Sequence, residues 1–335
     1  MTEKLEELVE PYQEIQVEGD KSKTKSTLTY EEIEDCAKFI KEATNTTAKI
    51  AVIAGSSMDT LGLNVTEATT IQYELIPHFP RSESSIGKII AGNMENTPVL
   101  IFKGRYHLYD GYTMQECTMH IKVLKLLGVK VLIIINTSGG INQDYKIGDI
   151  MLVKDHINLQ GFAGQNPLIG PNDERFGPRF IPMNKVYDKD LLGKAKKILD
   201  EIEFEGMIHE GVYATVSGPA YDTISENLFL KTCEIDAVGL TIIPEVLVAK
   251  HSGMSIVAFS IITDQEIVDE NNDKEFNHEE MIEICDKRTK QLNEFLEKFV
   301  KIAVLSKEEG DIECGGDEII TKSSKRIRCK CNNLN

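Results

Sequence analysis

The chain has 335 residues, 41% of them apolar, with a formal charge of −17 and no tryptophan. That length exceeds the ~100–200 residues of a common domain, yet single α/β units reach it and the apolar content supplies a large core. The acidic balance argues against nucleic acid as a partner, because neutralising phosphate backbones needs a basic face, and an anionic substrate would need a local positive pocket. Seven cysteines (Cys36, Cys117, Cys233, Cys285, Cys314, Cys329 and Cys331) are scattered without paired ligand spacing, which fits reduced thiols in a cytoplasmic protein. The charged start lacks the apolar stretch of a signal peptide, and no ~18-residue apolar run occurs, so neither secretion nor a membrane span is expected.

Residues 1–28 are polar and aperiodic and read as an extension. Thr29 then opens a helix, its hydroxyl capping the first turn while Glu32 reaches back, and Ile33, Cys36, Ala37 and Ile40 supply one apolar face. Lys49 to Ala54 is a short apolar strand that runs into Gly55-Ser-Ser-Met-Asp. A glycine at a strand end can expose backbone N–H groups and the Ser56 hydroxyl to an anion, although an ordinary strand-to-turn junction has the same pattern. From Ile76 two prolines and a polar cluster mark a surface loop, and Gly87 to Ala91 with Pro98 to Phe102 reads as a hairpin.

Gly104 to Tyr112 follows, reading Gly-Arg-Tyr-His-Leu-Tyr-Asp-Gly-Tyr at a strand's carboxyl end, where open α/β sheets bind ligands. In extended backbone Arg105, His107 and Tyr109 point to one side. A guanidinium fork and an imidazole suit an oxyanion, which accepts charge-assisted hydrogen bonds from both. A helix from Thr113 to Leu127 stops at Gly128. Val129 to Ile135 is a β-branched run of the kind found in central parallel strands, and it empties into Asn136-Thr-Ser-Gly-Gly, another loop suited to an anion.

Beyond Gly148 the chain reads Gly148-Asp-Ile-Met-Leu-Val-Lys-Asp-His-Ile-Asn-Leu, Gly161-Phe-Ala-Gly-Gln-Asn-Pro-Leu and Gly170-Pro-Asn-Asp-Glu-Arg-Phe-Gly-Pro-Arg-Phe. With Gly104 to Tyr112, Gly218-Pro-Ala-Tyr-Asp-Thr, Val238-Gly-Leu-Thr-Ile-Ile-Pro-Glu-Val and Asn277-His-Glu-Glu, these segments resemble the trimeric class of purine nucleoside phosphorylases. The likeness extends over roughly residues 30 to 305. It implies one α/β domain, residues 29–305, built on a mixed, distorted β-barrel-like sheet surrounded by helices, with residues 306–335 as a flexible tail. It also implies phosphorolysis of purine (deoxy)ribonucleosides in purine salvage by a homotrimer, with inorganic phosphate as co-substrate and neither metal nor cofactor.

Carried over by resemblance, Ser56, Arg105, His107, Thr137 and Thr241 would bind phosphate. Tyr109, Leu240 and His278 would hold the ribose, and Phe176 would close the sugar site of a neighbouring subunit. Tyr221, Val238, Gly239 and Thr263 would border the base, with Asp222 and Asp264 facing its hydrogen-bonding edge. Breaking the glycosidic bond leaves an oxocarbenium-like sugar and an anionic purine, so a phosphate dianion beneath the ribose and a hydrogen bond at N7 would both assist; His107, Asp264 and His278 are the expected catalytic groups.

Two departures from the family pattern concern phosphate and base. Ser82 to Gly87 is short and lacks the family's loop histidine, and Asp222 and Asp264 stand where 6-oxopurine enzymes carry Glu and Asn. A phosphorylase preferring 6-aminopurine nucleosides (adenosine or methylthioadenosine) and a non-catalytic nucleoside-binding relative therefore stay open. His120 and His251 read as packed or capping residues, and His156 as loop architecture.

Overall fold

The computed structural model describes residues 28–55, 58, 60–80, 87–269 and 278–313, with the side chains of 278, 280 and 308–313 left out. Helix α1 (Tyr30–Thr44) starts on the expected capping box: the Glu32 N–H donates to the Thr29 hydroxyl and the Thr29 N–H donates back to the Glu32 carboxylate. β1 (Ile50–Ala54) is buried throughout, because it lies parallel between β4 (Thr97–Lys103) and β5 (Val131–Gly140) and is covered on both faces. β2 (Thr66–Gln72) and β3 (Lys88–Met94) complete an antiparallel wing with β4. The hairpin read from the sequence is the β3–β4 pair, turned by Glu95 and Asn96 at φ 45° and 61°, the left-handed values that match strand twist in tight hairpins.

The remaining strands are β6 (Ile150–Asn158), β7 (Ile208–Thr215), β8 (Ala237–Gly239) and β9 (Ser255–Gln265). Together the nine strands of the described residues make one sheet in the order β2-β3-β4-β1-β5-β8-β7-β6-β9, and a second pairing of β5 with β9 closes its latter part into a barrel. This is the mixed, barrel-like α/β fold expected. Around it lie α2 (Met114–Leu126), the short α3 (Leu159–Phe162), α4 (Lys189–Glu201), α5 (Ile224–Thr232), α6 (Ile243–His251) and α7 (His278–Glu313). α2 packs on α6, while α7 crosses the sheet and meets α4. Among the described residues no helix is long and apolar enough to cross a membrane.

Two expectations need correction. His156 is not in a loop but within β6, where its Nδ1 lies 2.9 Å from the Tyr187 hydroxyl. The carboxyl-terminal boundary at Leu305 falls inside α7, which continues to Glu313. The polar residues beyond Leu305 stay helical because α4 offers partners: Lys194 donates to the Ser306 hydroxyl, and Lys307 pairs with Asp188. Residues 1–27 and 314–335, which hold most of the expected extension and tail, lie outside the described residues. His120 and His251 are packed as read: His120 is buried in α2, and Nε2 of His251 meets the Asn172 side chain at 3.0 Å.

Candidate active site

A cavity of about 620 Å³ opens where β1, β4, β5, β8 and β9 end, and residues from all five strands or their following loops line it. The segment after β4 is extended only as far as His107; Leu108–Asp110 forms a short 3-10 turn, so Tyr109 reaches the cavity from that turn and not by strand alternation. Arg105, His107 and Tyr109 line the cavity, while the Tyr106 hydroxyl turns away to donate to the Pro80 carbonyl at 2.8 Å. Gly104 makes the approach at φ 93°, a backbone conformation that disfavours any side chain, and its N–H donates to the Ala54 carbonyl. The His107 ring stacks on Tyr109 with centroids 4.7 Å apart. Burial, reinforced by the Arg105 charge, lowers the His107 pKa, whereas Asp110 at 3.5 Å opposes that shift.

Arg105 is itself buried and is held from behind by Glu245 of α6. Its Nε donates to one Glu245 oxygen at 2.9 Å and Nη2 to the other at 3.3 Å, and Nη2 also reaches the Ile53 carbonyl. His120 stands 3.5 Å from the same carboxylate. Burial is the largest single influence and would raise the Glu245 pKa, but the Arg105 charge, the His120 hydrogen bond and charge and the Arg105 hydrogen bonds together outweigh it and hold the carboxyl at about 2. The pair thereby aims a guanidinium at the cavity in a fixed orientation.

Thr241 reaches the same region through a strained connection. The Ile243 N–H donates to the Thr241 carbonyl at 3.1 Å, and Ile242 between them adopts φ 77° and ψ −62°, which is a γ-turn of the rare, unfavourable hand. For a β-branched residue such backbone is a genuine outlier, sustained because Ile242 is completely buried. The turn sets Thr241 at the amino end of α6, where the helix dipole favours an anion. Asn136 donates to the Thr241 hydroxyl at 3.3 Å and to the Tyr213 hydroxyl at 2.9 Å, so the Thr241 proton remains available to donate elsewhere.

Strand β5 acts as a ruler along the cavity. Asn136 and Thr137 mark the end near Thr241, and Gly139 lies roughly 10 Å further on at ~3.3 Å per residue, about the span of a nucleoside. At Gly139 the pairing with β9 shifts register, so that Ser138 opposes Ile262 but Gly139 opposes Asp264, with Thr263 bulged between them. This far end also gathers Tyr221, Asp222 and Val238, the β8 residue opposite Gly139, while Gly239 and Leu240 line the middle. Burial, then the Glu226 charge, raises the Asp222 pKa. The two ends are therefore chemically opposite, one donating and cationic, the other acidic.

Not every residue named from the sequence is found at the cavity. Ser56 and residues 81–86 lie outside the described residues, as does the His278 side chain, although His278 begins α7. Phe176 does not project outward: it is 4% exposed and packs on Tyr30, with Lys122 Nζ 5.3 Å from the ring centroid. The aromatic ring that the same loop does expose is Phe180, at 89%.

Residues 49–301 match the family model described as the phosphorylase superfamily. A purine nucleoside phosphorylase of Anopheles gambiae is 40% identical over 275 residues, covering 82% of this chain and 78% of the relative. That of Bos taurus is 39% identical over 280 residues, 83% of this chain and 96% of the relative. The chain belongs to the phosphorylase superfamily, among its purine nucleoside phosphorylases. A crystal structure of Schistosoma mansoni purine nucleoside phosphorylase in complex with adenosine superposes with a TM-score of 0.79 at 36% identity, covering 82% of this chain and 98% of that one. A Schistosoma enzyme in complex with guanosine gives 0.77 at 37% identity, with 82% and 97% covered.

In this phosphorylase-superfamily chain the sequence reading missed Glu245 and Glu266. Glu245 lies within an apolar helical segment, and no local signal could have tied it to Arg105, 140 positions away. Glu266 had a signal: it stands two residues beyond Asp264 on extended backbone, hence on the same side. It lines the cavity with Asp222 and Asp264, and burial followed by those two charges raises its pKa to about 7.

Proposed function

We propose that this chain catalyses the phosphorolysis of purine ribo- and 2′-deoxyribonucleosides, releasing the free base and (deoxy)ribose 1-phosphate for purine salvage. The observation that carries the reading is one cavity with a donor-rich end at Arg105, His107, Thr137 and Thr241 and an acidic end at Tyr221, Asp222 and Asp264. Inorganic phosphate is the co-substrate, bound by the Arg105 fork, the Thr241 hydroxyl, the His107 ring, the backbone at Thr137 and Ser56. Tyr109, Leu240 and His278 border the sugar, and Val238, Gly239 and Thr263 the base.

A phosphate oxygen attacks the anomeric carbon as the bond to N9 breaks, and that bond's electron pair passes to the purine. The phosphate charge beneath the sugar stabilises the cationic transition state. The proton that phosphate loses ends on the departing base, with Asp264 at its N7 edge assisting as a hydrogen-bonding group. The purine itself is the electron sink, so the chemistry calls for no redox cofactor. The active assembly is a homotrimer, and Phe180, the exposed ring of the loop 170–180, replaces the inward-facing Phe176 as the side chain that closes a neighbour's sugar site.

The test is product analysis with and without phosphate. Free base and ribose 1-phosphate should appear only when phosphate is present. Turnover that persists unchanged without phosphate would instead identify a hydrolase.

A further inference from the structure

Three carboxyl groups share the acidic end of the cavity, although only two were expected. Glu266 is the addition. Its backbone N–H continues the β9 pairing by donating to the Gly140 carbonyl at 3.0 Å. One side-chain oxygen accepts from Asn227 of α5 at 3.3 Å. The other rests against Gly139 so closely that a methyl group added there would lie 1.8 Å from it. Gly139 therefore clears the space that the Glu266 carboxyl fills, at the point where the cavity wall also presents Asp264.

We propose that Glu266 is a specificity-determining residue that contacts the hydrogen-bonding edge of the purine and makes the choice between 6-aminopurine and 6-oxopurine nucleosides depend on pH. The proposal rests on the purine nucleoside phosphorolysis proposed above and deepens it. An ionised carboxylate only accepts, so it suits a 6-amino group and repels a 6-oxo oxygen; a protonated carboxyl donates and suits the 6-oxo oxygen. The groups that face Glu266 set where the exchange occurs. Asp264 comes from its own strand, Asp222 and Tyr221 from the segment ahead of α5, and Asp286 of α7 lines the same cavity. Asn227 is neutral and favours the ionised form. Burial and the Asp222 and Asp264 charges outweigh it and bring the Glu266 transition close to neutrality.

The test measures kcat/KM for adenosine and inosine in the wild type and in Glu266→Gln at about pH 6 and about pH 8, on either side of the transition. In the wild type the adenosine-to-inosine ratio should rise about tenfold or more from the lower to the higher pH, the scale of exchanging a donor for a charged acceptor. In Glu266→Gln the ratio should become independent of pH. Calorimetric Kd values for free adenine and hypoxanthine at the same two pH values form a second arm, which needs neither turnover nor the variant. A wild-type ratio that does not change with pH in either arm overturns the proposal, as does a Glu266→Gln enzyme that keeps the wild-type pH dependence. Failure of the underlying reaction would look different: the Kd ratio would shift with pH while neither nucleoside was cleaved.

Discussion

The carboxylate of Glu245 and the guanidinium of Arg105 meet through two hydrogen bonds, 2.9 and 3.3 Å long, with both side chains at most 5% exposed. Removing the acid leaves a buried cation without its partner, so Glu245→Gln should lose about 3–5 kcal/mol of stability by denaturant unfolding. The loss should itself depend on pH. Because the folded-state pKa of Glu245 lies below its ordinary 4.5, its stabilisation is complete above 4.5 and disappears as the pH falls toward about 2. A difference between wild type and variant that stayed constant across that window would contradict the pairing.

Phosphate affinity should respond to Thr241. Its hydroxyl oxygen accepts from Asn136, leaving its proton for the anion, so Thr241→Val should raise the phosphate KM about 10- to 100-fold, the range for one hydrogen bond to a charged group. The nucleoside KM should move much less. The chain also lacks the histidine that the family pattern places after Arg81, and a wild-type phosphate KM about 10- to 100-fold above that of a relative with the full set is expected on the same scale. Steady-state kinetics at varied phosphate reads both effects.

The two phenylalanines of the loop 170–180 should behave differently. Phe176→Ala removes a buried ring and should cost about 3–5 kcal/mol in unfolding. Phe180→Ala removes an exposed one, so it should leave stability within about 0.5 kcal/mol while raising the nucleoside KM. Light scattering should give a trimeric mass, since a ring that closes a neighbour's site has no function in a monomer. Full activity at monomeric mass would refute the arrangement.

Asp264→Asn should lower the adenosine-to-inosine ratio of kcat/KM by about 10- to 100-fold, because asparagine can donate to a 6-oxo oxygen and ionised aspartate cannot. It should have a second effect through Glu266. The Asp264 charge helps to raise the Glu266 pKa, so removing it should move the pH at which selectivity changes to a lower value. A ratio unmoved by the substitution would show that Asp264 does not contact position 6.

Much of this molecule was legible from local sequence. The capping box of Thr29 with Glu32 involves residues three apart, and the structure forms it. Arg105 and His107 reach the cavity two apart, as extended backbone predicts, whereas Tyr109 reaches it from the 3-10 turn Leu108–Asp110 that the alternation did not foresee. The β-branched run before Asn136 became the strand along which both ends of the site are laid out. What the sequence could not determine were contacts set by topology. Arg105 meets Glu245 because the segment leaving β4 passes the first turn of α6, and Phe176 faces inward because α1 and α2 offer it Tyr30 and Lys122. Glu266 becomes part of the site because the closing β5–β9 pairing lays its carboxyl on Gly139. Caps and alternation are read from neighbours along the chain, whereas burial, charge pairing and a shifted pKa depend on which distant segment covers a side chain, and only the folded packing decides that.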